Sequence, residues 1–223
     1  MGRCSLNIVL LALLALSLAD GEGGGPVFCG PSEGARESVE ISDHFIFGTN
    51  EPVKGATTLI RDFRNCVVDI TVFSSALEAH WAYSIWIVAF NHPEHCVTPN
   101  ACGTGDLEAF GGNPQVEASV FWGAGFVADG TGSADTTLTI RPGRTSRELF
   151  GSTRNYGLLN FGGAEIHIVI RSHGLAGSRG PISSQIGTAS GACPRSPPDD
   201  RGCVNEFASF HPAREFPIPY AID

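Results

Sequence analysis

The sequence has little basic charge. Its 223 residues contain 14 basic and 23 acidic side chains, so the formal net charge is −9, and Lys54 is the only lysine. Nucleic acids and anionic lipid surfaces are bound through basic patches, and this deficit argues against both as partners. After the first 19 residues, no segment reaches the roughly 20 apolar residues that a membrane-spanning helix needs. We therefore expect no nucleic-acid partner and no membrane span.

Several signatures of catalysis and cofactor binding are also missing. There is no C-x-x-C pair, no phosphate-binding loop, no serine nucleophile elbow between a strand and a helix, and no N-x-[ST] glycosylation site. These motifs mark zinc sites, nucleotide sites, serine hydrolases and N-linked glycans respectively. No repeat of 20–50 residues is evident, which excludes a solenoid or propeller. We expect no cofactor, and the absences lean against an enzyme.

The start of the chain has the layout of a secretory signal peptide. Residues 1–19 place Arg3 before an apolar core and end in the small-x-small sequence Ser-Leu-Ala. This pattern predicts cleavage and export to an extracellular location. We expect a flexible glycine-rich arm at 20–38, one domain at 39–211 and a proline-rich extended tail at 212–223, because roughly 200 residues bury one good core.

Six cysteines remain after the predicted signal. An even number in an exported chain favours three disulfides, and six cysteines allow 15 pairings. We favour two local pairs inside proline-containing loops and one pair that ties the arm to a core strand. These pairs are Cys96–Cys102, Cys193–Cys203 and Cys29–Cys66.

The chain reads as many short strands separated by turns. Residues 83–90 are apolar on both faces, which predicts a central strand covered on both sides. Residues 118–128 and 133–140 flank Asp-Gly-Thr-Gly, which predicts a hairpin. The further expected strands are 39–47, 57–61, 66–73, 165–171 and, less strongly marked, 182–186, and 204–210 fits a short helix or an edge strand. The fold class is therefore all-β, a disulfide-clasped antiparallel sandwich, immunoglobulin-like or jelly-roll-like, with little helix.

The segment Gly163–Gly174 carries the most suggestive chemistry. Because side chains alternate along a strand, its three isoleucines point to one face and its ionisable residues to the other. We predict that this polar face looks outward and binds a ligand, with Arg171→Ala changing the affinity modestly. The candidate ligand-binding residues are Glu165, His167, Arg171, His173 and Asn91. The alternative is an ordinary surface network in which Arg171 pairs with an acid on the next strand and His167 is half exposed.

A second histidine pair lies in the loop after the central strand. Pro93 separates His92 from His95 and excludes the helical geometry of H-E-x-x-H. The two rings could still bind a metal ion with help from Asp106 or Glu94. The alternative is that two polar residues decorate a disulfide loop.

Three stretches together resemble a known family. They are Ala82-Tyr-Ser-Ile-Trp-Ile-Val-Ala-Phe-Asn-His-Pro-Glu-His-Cys96, the strand Ala118–Val127, and Gly157–Gly174. The chain is similar in these stretches to a family of exported β-sandwich proteins abundant in bacteria, and its histidine-bearing strand is similar, more faintly, to chordin-type extracellular domains. The resemblance implies the fold, export and the Cys96–Cys102 disulfide, and it implies no catalytic activity.

Two functions follow from the sequence. The first is a secreted binding or structural module that contacts an extracellular protein or glycan. The alternative is a metal-dependent or acid–base enzyme that uses the face of the strand carrying His167 and Arg171.

Overall fold

The chain forms a sheet-rich structure with little helix. The computed structural model describes residues 29, 37–46, 51–143, 148–150, 156–178, 180–187 and 206–210. The predicted signal peptide, the tail and Cys193–Cys203 lie outside these residues, as does most of the predicted arm. The strands are β1 (Glu37–Ile46), β2 (Pro52–Asp62), β3 (Val67–Ser74), β4 (Trp81–Phe90), β5 (Ala118–Val127), β6 (Ala134–Ile140), β7 (Glu148–Phe150), β8 (Glu165–Leu175) and β9 (Glu206–Phe210). One short helix, α1 (Ile182–Ile186), follows β8.

All strand pairs are antiparallel and run in the order β6-β3-β2-β1-β9-β8-β4-β5-β7. Strand β9 links two four-stranded halves. Among the described residues, it pairs with β8 over Glu206–Phe210 and with β1 at Glu206 and Phe207. The halves face each other across one apolar layer, which is the arrangement of a β-sandwich. The predicted fold class is confirmed.

The interior of the sandwich is built from alternate side chains of both halves. Leu59, Ile70 and Val72 come from one half, and Ile85 and Ile87 come from the other. The isoleucines of β8 join them: Ile166, Ile168 and Ile170 are all fully buried. Burying one such side chain contributes roughly 1.5–3 kcal/mol. The prediction that the isoleucines of this strand enter the core is confirmed.

Strand β4 is covered on its other face as well. Trp86, Val88 and Phe90 pack outside the sheet against Val169 of β8. The segment 91–117, with four short 3-10 turns, folds back over them and adds Cys96, Cys102, Leu107 and Val116 to the cluster. The prediction of a central strand covered on both sides is therefore confirmed.

Three local predictions were wrong. Strands β5 and β6 do not pair as a hairpin, because β5 pairs with β4 and β7 whereas β6 pairs with β3. The Asp-Gly turn reverses the chain, but the reversed chain enters the other half of the sandwich. Residues 182–186 form α1 instead of a strand, and it starts after Pro181, whose carbonyl accepts bonds from Ser184 and Gln185. Strand β9 is interior, not an edge.

Two disulfides are present among the described residues. Cys29 bonds to Cys66, with Cα atoms 5.5 Å apart, and Cys96 bonds to Cys102, with Cα atoms 5.4 Å apart. Both predicted pairs are confirmed. The first encloses 37 residues of sequence separation and ties the segment before β1 to the turn before β3. Because it closes the longer loop, the Cys29–Cys66 disulfide is expected to stabilise the fold more than Cys96–Cys102 does. Its total contribution is expected to be about 3–4 kcal/mol.

Candidate functional site

The register of β8 places its ionisable residues on one side of the sheet. Glu165 lies opposite Phe90, His167 opposite Val88, and Arg171 opposite Ser84. They therefore share the outer face of β4, away from the isoleucines, as predicted. The expectation that this face is open to solvent was wrong. Glu165, His167 and His173 are buried, because segment 91–117 covers one end and α1 covers the other.

Glu165 and His167 form a pair beneath the disulfide loop. One carboxylate oxygen of Glu165 lies 2.6 Å from Nε2 of His167 and accepts a bond of 3.0 Å from the backbone N–H of Cys102. The imidazole also packs edge-on against Phe90, with ring centroids 5.0 Å apart. A carboxylate and an imidazole this close are directly hydrogen-bonded. Their burial makes the pair an anchor for the covering loop, and the expectation of a half-exposed His167 was wrong.

Arg171 is the partly exposed member of this face. Its guanidinium carbon lies 4.9 Å from the centre of the Trp86 ring. A guanidinium over an indole ring is a favourable cation–π arrangement. It orients Arg171 along the sheet in the gap between the two covering segments.

His173 and Ser84 form a second buried pair. The hydroxyl oxygen of Ser84 lies 2.7 Å from Nε2 of His173. Burial, reinforced by the charge of Arg171, lowers the pKa of His173 to about 4. The imidazole is therefore neutral near pH 7 and suited to accept the serine proton in a hydrogen bond. Gln185 of α1 closes this end by donating to the carbonyl of His173 at 2.9 Å.

Asn91 is held entirely by backbone. Its amide nitrogen donates to the carbonyls of Glu117 and Gly157, and its amide oxygen accepts from the N–H groups of Leu159 and Asn160. All four bonds are 2.7–3.1 Å long. The side chain joins the covering segment to the loop before β8, and this role accounts for its burial.

The His92–His95 pair does not assemble a metal site with a third ligand. Nδ1 of His92 lies 3.1 Å from Glu94 and Nε2 lies 3.5 Å from Glu117, on opposite sides of the ring. The rings of His92 and His95 are 6.0 Å apart at their centroids. Over the described ranges, one group of three His, Cys, Asp or Glu residues has its ligand atoms within 4.8 Å: Cys96, Cys102 and Asp106. Its two sulfurs are already bonded to each other.

Asp106 organises the disulfide loop. Its two carboxylate oxygens accept bonds of 2.7 Å from the N–H of Val97 and 2.8 Å from that of Gly103. These are the residues that directly follow Cys96 and Cys102. Because both oxygens are engaged, Asp106 fixes the loop's conformation and is not turned toward His92 as a shared ligand.

A buried polar network inside the sandwich was not foreseen. Nδ1 of His44 lies 2.8 Å from Glu206, and Nε2 lies 2.8 Å from the hydroxyl of Thr57. The second oxygen of Glu206 accepts a 2.8 Å bond from Ser74. Gly55 makes room for the ring, since a Cβ there would lie 2.3 Å from Nδ1. Carboxylate, imidazole and hydroxyl are connected as in hydrolase triads, but all are buried, so the network joins strands β3, β2, β1 and β9.

Arg61 is a second buried polar residue that sequence reasoning missed. It is fully buried, and burial lowers the pKa of its guanidinium. It contacts Glu40 at 3.2 Å and donates to the carbonyls of Phe161 and Ala164 at 2.8 and 3.0 Å. The guanidinium thereby fixes the loop that leads into β8.

The open surface of the protein lies on the opposite half of the sandwich. Strand β1 turns Glu40 and His44 inward and Val39 and Ile41 outward. Val39 is 59% exposed and Ile41 is 72% exposed, and on β3 Phe73 is 48% exposed. Burial would favour the reverse orientation of this strand. The alternation of 39–47 was visible in the sequence, but its direction was not.

These residues belong to a grid that we call the exposed face. It consists of three cross-strand rows on β1, β2, β3 and β6, each residue lying opposite the next. The rows are Val39–Ile60–Asp69–Thr139, Ile41–Thr58–Thr71–Thr137 and Asp43–Ala56–Phe73–Asp135. Side-chain bonds lock part of it, with Thr71 and Thr137 3.2 Å apart at their hydroxyls and Thr139 donating to Asp69 at 2.5 Å.

Fold and site together define a disulfide-linked all-β sandwich. Its strands β4 and β8 carry buried polar pairs, and its other half carries the exposed face. No protein-family model, curated protein or solved structure matches the chain. In the described part of the chain, no helix has the length and apolar character to cross a bilayer.

Proposed function

We propose that the protein is a secreted binding module that contacts an extracellular partner protein through the exposed face. The observation that carries the proposal is the orientation of β1, which turns Val39 and Ile41 toward solvent and Glu40 and His44 toward the core. Places where a strand breaks the rule of apolar-inside are expected at functional surfaces. The signal-like start of the chain and the two disulfides among its described residues support secretion.

This orientation leaves free energy of burial unused. Fully burying a valine or isoleucine is worth roughly 1.5–3 kcal/mol relative to leaving it exposed. Val39 and Ile41 give up much of that gain, and Phe73 gives up part of it. A partner that covers all three would recover it, so this free energy becomes binding energy.

Buried polar pairs make catalysis on β8 less favourable. A general base must come within hydrogen-bond reach of the proton that it removes. Glu165, His167, Ser84 and His173 are all buried beneath segment 91–117 or α1. Their hydrogen bonds hold those covers in place, which gives them a structural role that needs no substrate.

A protein is favoured over a glycan as the partner. The exposed face holds one aromatic ring, Phe73, and neither tryptophan nor tyrosine. The aromatic residues with a polar edge, which suit mixed polar and apolar ligands, lie elsewhere in the described structure: Trp86, Tyr83 and Tyr156 are buried, and Trp81 and Trp122 are half-buried on β4 and β5. Flat rows of threonine and aliphatic side chains suit another protein surface better.

The proposal is tested by screening the purified, oxidised protein against arrays of extracellular proteins and of glycans. We expect a protein ligand whose binding is weakened at least tenfold by Ile41→Ser or Phe73→Ser. The matched control is Val97→Ser, because Val97 is 87% exposed but lies on the covering segment of the other half. A glycan ligand, or a protein ligand that is insensitive to Ile41→Ser, would overturn the proposal.

A further inference from the structure

We propose that the partner docks on the exposed face through a basic patch, with lysine or arginine side chains beside aliphatic ones. This inference rests on the proposed function and specifies the chemistry of the partner. It follows from how charge is distributed over the twelve residues of the face.

Negative charge is placed at the periphery of the grid. Asp43 and Asp135 occupy the two ends of one row, and Asp69 lies within another. Asp43 and Asp135 are exposed, whereas Asp69 is half-buried and accepts a bond from Thr139. None of the twelve residues is basic.

The edges of the face do not neutralise this charge. Two basic residues flank the face, Lys54 two positions before Ala56 and Arg141 two positions after Thr139, and so do two acidic residues, Glu37 before Val39 and Asp62 after Ile60. Their charges cancel, and the three aspartates of the grid remain. The sequence as a whole is also acidic, with a formal net charge of −9. The field over the face therefore attracts cations.

The apolar residues lie beside the acids. Val39 and Ile41 share this side of β1, Ile60 and Ala56 continue the outer rows on β2, and Phe73 follows on β3, while threonines occupy the middle of the grid. Charges that flank apolar contacts steer association and select among partners more than they add affinity. A complementary partner thus places aliphatic side chains over β1 and β2 and basic ones over the three aspartates.

A second copy of the same chain fits the face poorly. In a two-fold dimer the same patch lies on both subunits, so a face-to-face pair would bring six aspartates together without a basic residue among the twelve positions of either grid. Like charges brought together across an interface are costly. An anionic membrane is disfavoured for the same reason.

The size of the face sets the strength of the interaction. Four strands spaced about 4.8 Å apart and three rows two residues apart give a grid of about 14 Å by 14 Å. This is smaller than the roughly 800 Å² per partner of a standard stable interface. We expect a dissociation constant in the micromolar range, weakening with salt because exposed charges are screened beyond about 10 Å at 0.1 M ionic strength.

The test uses two synthetic peptides as defined probes, one alternating valine with lysine and the other alternating valine with glutamate. Binding to the full oxidised protein is measured by fluorescence anisotropy and mapped by amide chemical shifts. We expect the lysine peptide to bind, with shifts on β1, β2, β3 and β6. We expect the glutamate peptide to bind at least tenfold more weakly.

Two matched double variants assign the charge effect. Asp43→Asn with Asp135→Asn should weaken the lysine peptide about fivefold, since two exposed ion pairs contribute about 1 kcal/mol together. Glu94→Gln with Glu117→Gln removes the same charge from the covering segment and should leave affinity within twofold. Circular dichroism confirms that each variant is folded, and Asp135→Asn alone should give about half the free-energy change.

The outcomes separate this inference from the proposed function. Equal binding of both peptides at the exposed face would refute the basic partner and leave the face as a binding surface. Equal loss in both double variants, or shifts confined to another surface, would also refute it. The array can also identify a partner whose binding depends on Ile41 but is unaffected by Asp43→Asn with Asp135→Asn. That result would refute the basic partner and leave the exposed face as the binding surface.

Discussion

Removing the Glu206 carboxylate should destabilise the whole sandwich, because that group joins four strands where the two halves meet. The perturbation is Glu206→Ala. It leaves the hydroxyl of Ser74 and a ring nitrogen of His44, each now 2.8 Å from the carboxylate, without that acceptor in a buried site. In the described part of the chain, strand β9 pairs with β1 at Glu206 and Phe207, next to this network.

The magnitude follows from the contacts that are lost. A hydrogen bond to a charged group contributes about 1.5–3 kcal/mol, and Glu206 accepts two. Leaving a buried hydrogen-bonding group without its partner adds a desolvation cost of about 1–3 kcal/mol. We therefore expect Glu206→Ala to lower the free energy of unfolding by about 3–5 kcal/mol, a large part of the 5–15 kcal/mol typical of a domain.

Urea unfolding of the oxidised protein at pH 7, followed by tryptophan fluorescence, measures this loss. The matched control is Ser209→Ala on the same strand, because Ser209 is only half-buried and should cost less than about 1 kcal/mol. His44→Ala combined with Glu206→Ala should cost less than the sum of the single changes by about 1–3 kcal/mol. A Glu206→Ala loss no larger than that of Ser209→Ala, or strict additivity with His44→Ala, would refute the network.

Three further predictions concern acid sensitivity, the orientation of β1 and the buried guanidinium. The pKa of His173 is about 4 in the folded protein and about 6.5 when unfolded, so its contribution to stability is complete above pH 6.5 and is lost as the pH falls toward 4. The free energy of unfolding should therefore be lower by about 2–3 kcal/mol at about pH 4.5 than at pH 7. His173→Gln should remove that difference between urea melts at the two pH values. Ile41→Ser should change stability by less than about 0.5 kcal/mol, whereas Ile168→Ala should cost about 2–5 kcal/mol; equal losses in thermal melts would mean that β1 faces the other way. Arg61→Met should lower the free energy of unfolding by about 3–5 kcal/mol, because it leaves two carbonyls and Glu40 without their donor. Hydrogen exchange should then show that the loop before β8 opens first. Unchanged protection of that loop would contradict the role of Arg61 in fixing it.

Two local patterns, a continuous apolar run and alternation with period two, predicted most of the sheet. Strand β4 is apolar at every position from Ile85 to Phe90, and such a run leaves only a central, doubly covered location. The alternation of β8 likewise separated Ile166, Ile168 and Ile170 from the ionisable residues. Side-chain alternation is a local property of an extended backbone, so it can be read without knowing the partners of a strand.

The same local reading failed where a second segment decides the environment. The polar face of β8 was expected to be open, but segment 91–117 and α1 lie over it and bury Glu165, His167 and His173. The Asp-Gly turn after β5 was expected to close a hairpin, but β6 pairs with β3. A turn specifies a reversal of the chain, not which strand the next segment will pair with.

The candidate site was the least predictable part of the molecule. His44 and Glu206 are 162 positions apart in sequence, so no motif connects them. Val39 and Ile41 alternate with Ser38 and Glu40, a pattern that fixes two faces and favours burying the apolar one. The structure has the opposite orientation, because His44 and Glu40 bond to Glu206 and Arg61 across the interior.

The amino-acid sequence by itself determined the all-β class and the burial of the β8 isoleucines, and it favoured the two disulfide pairs that the structure confirms, because residue type, spacing and the alternation of an extended chain are local properties. Tertiary structure alone decided which faces are covered, which strands pair across the sandwich and which way β1 turns. Those outcomes depend on contacts between residues far apart in the chain, whose free energies are settled only when all of the strands are in place.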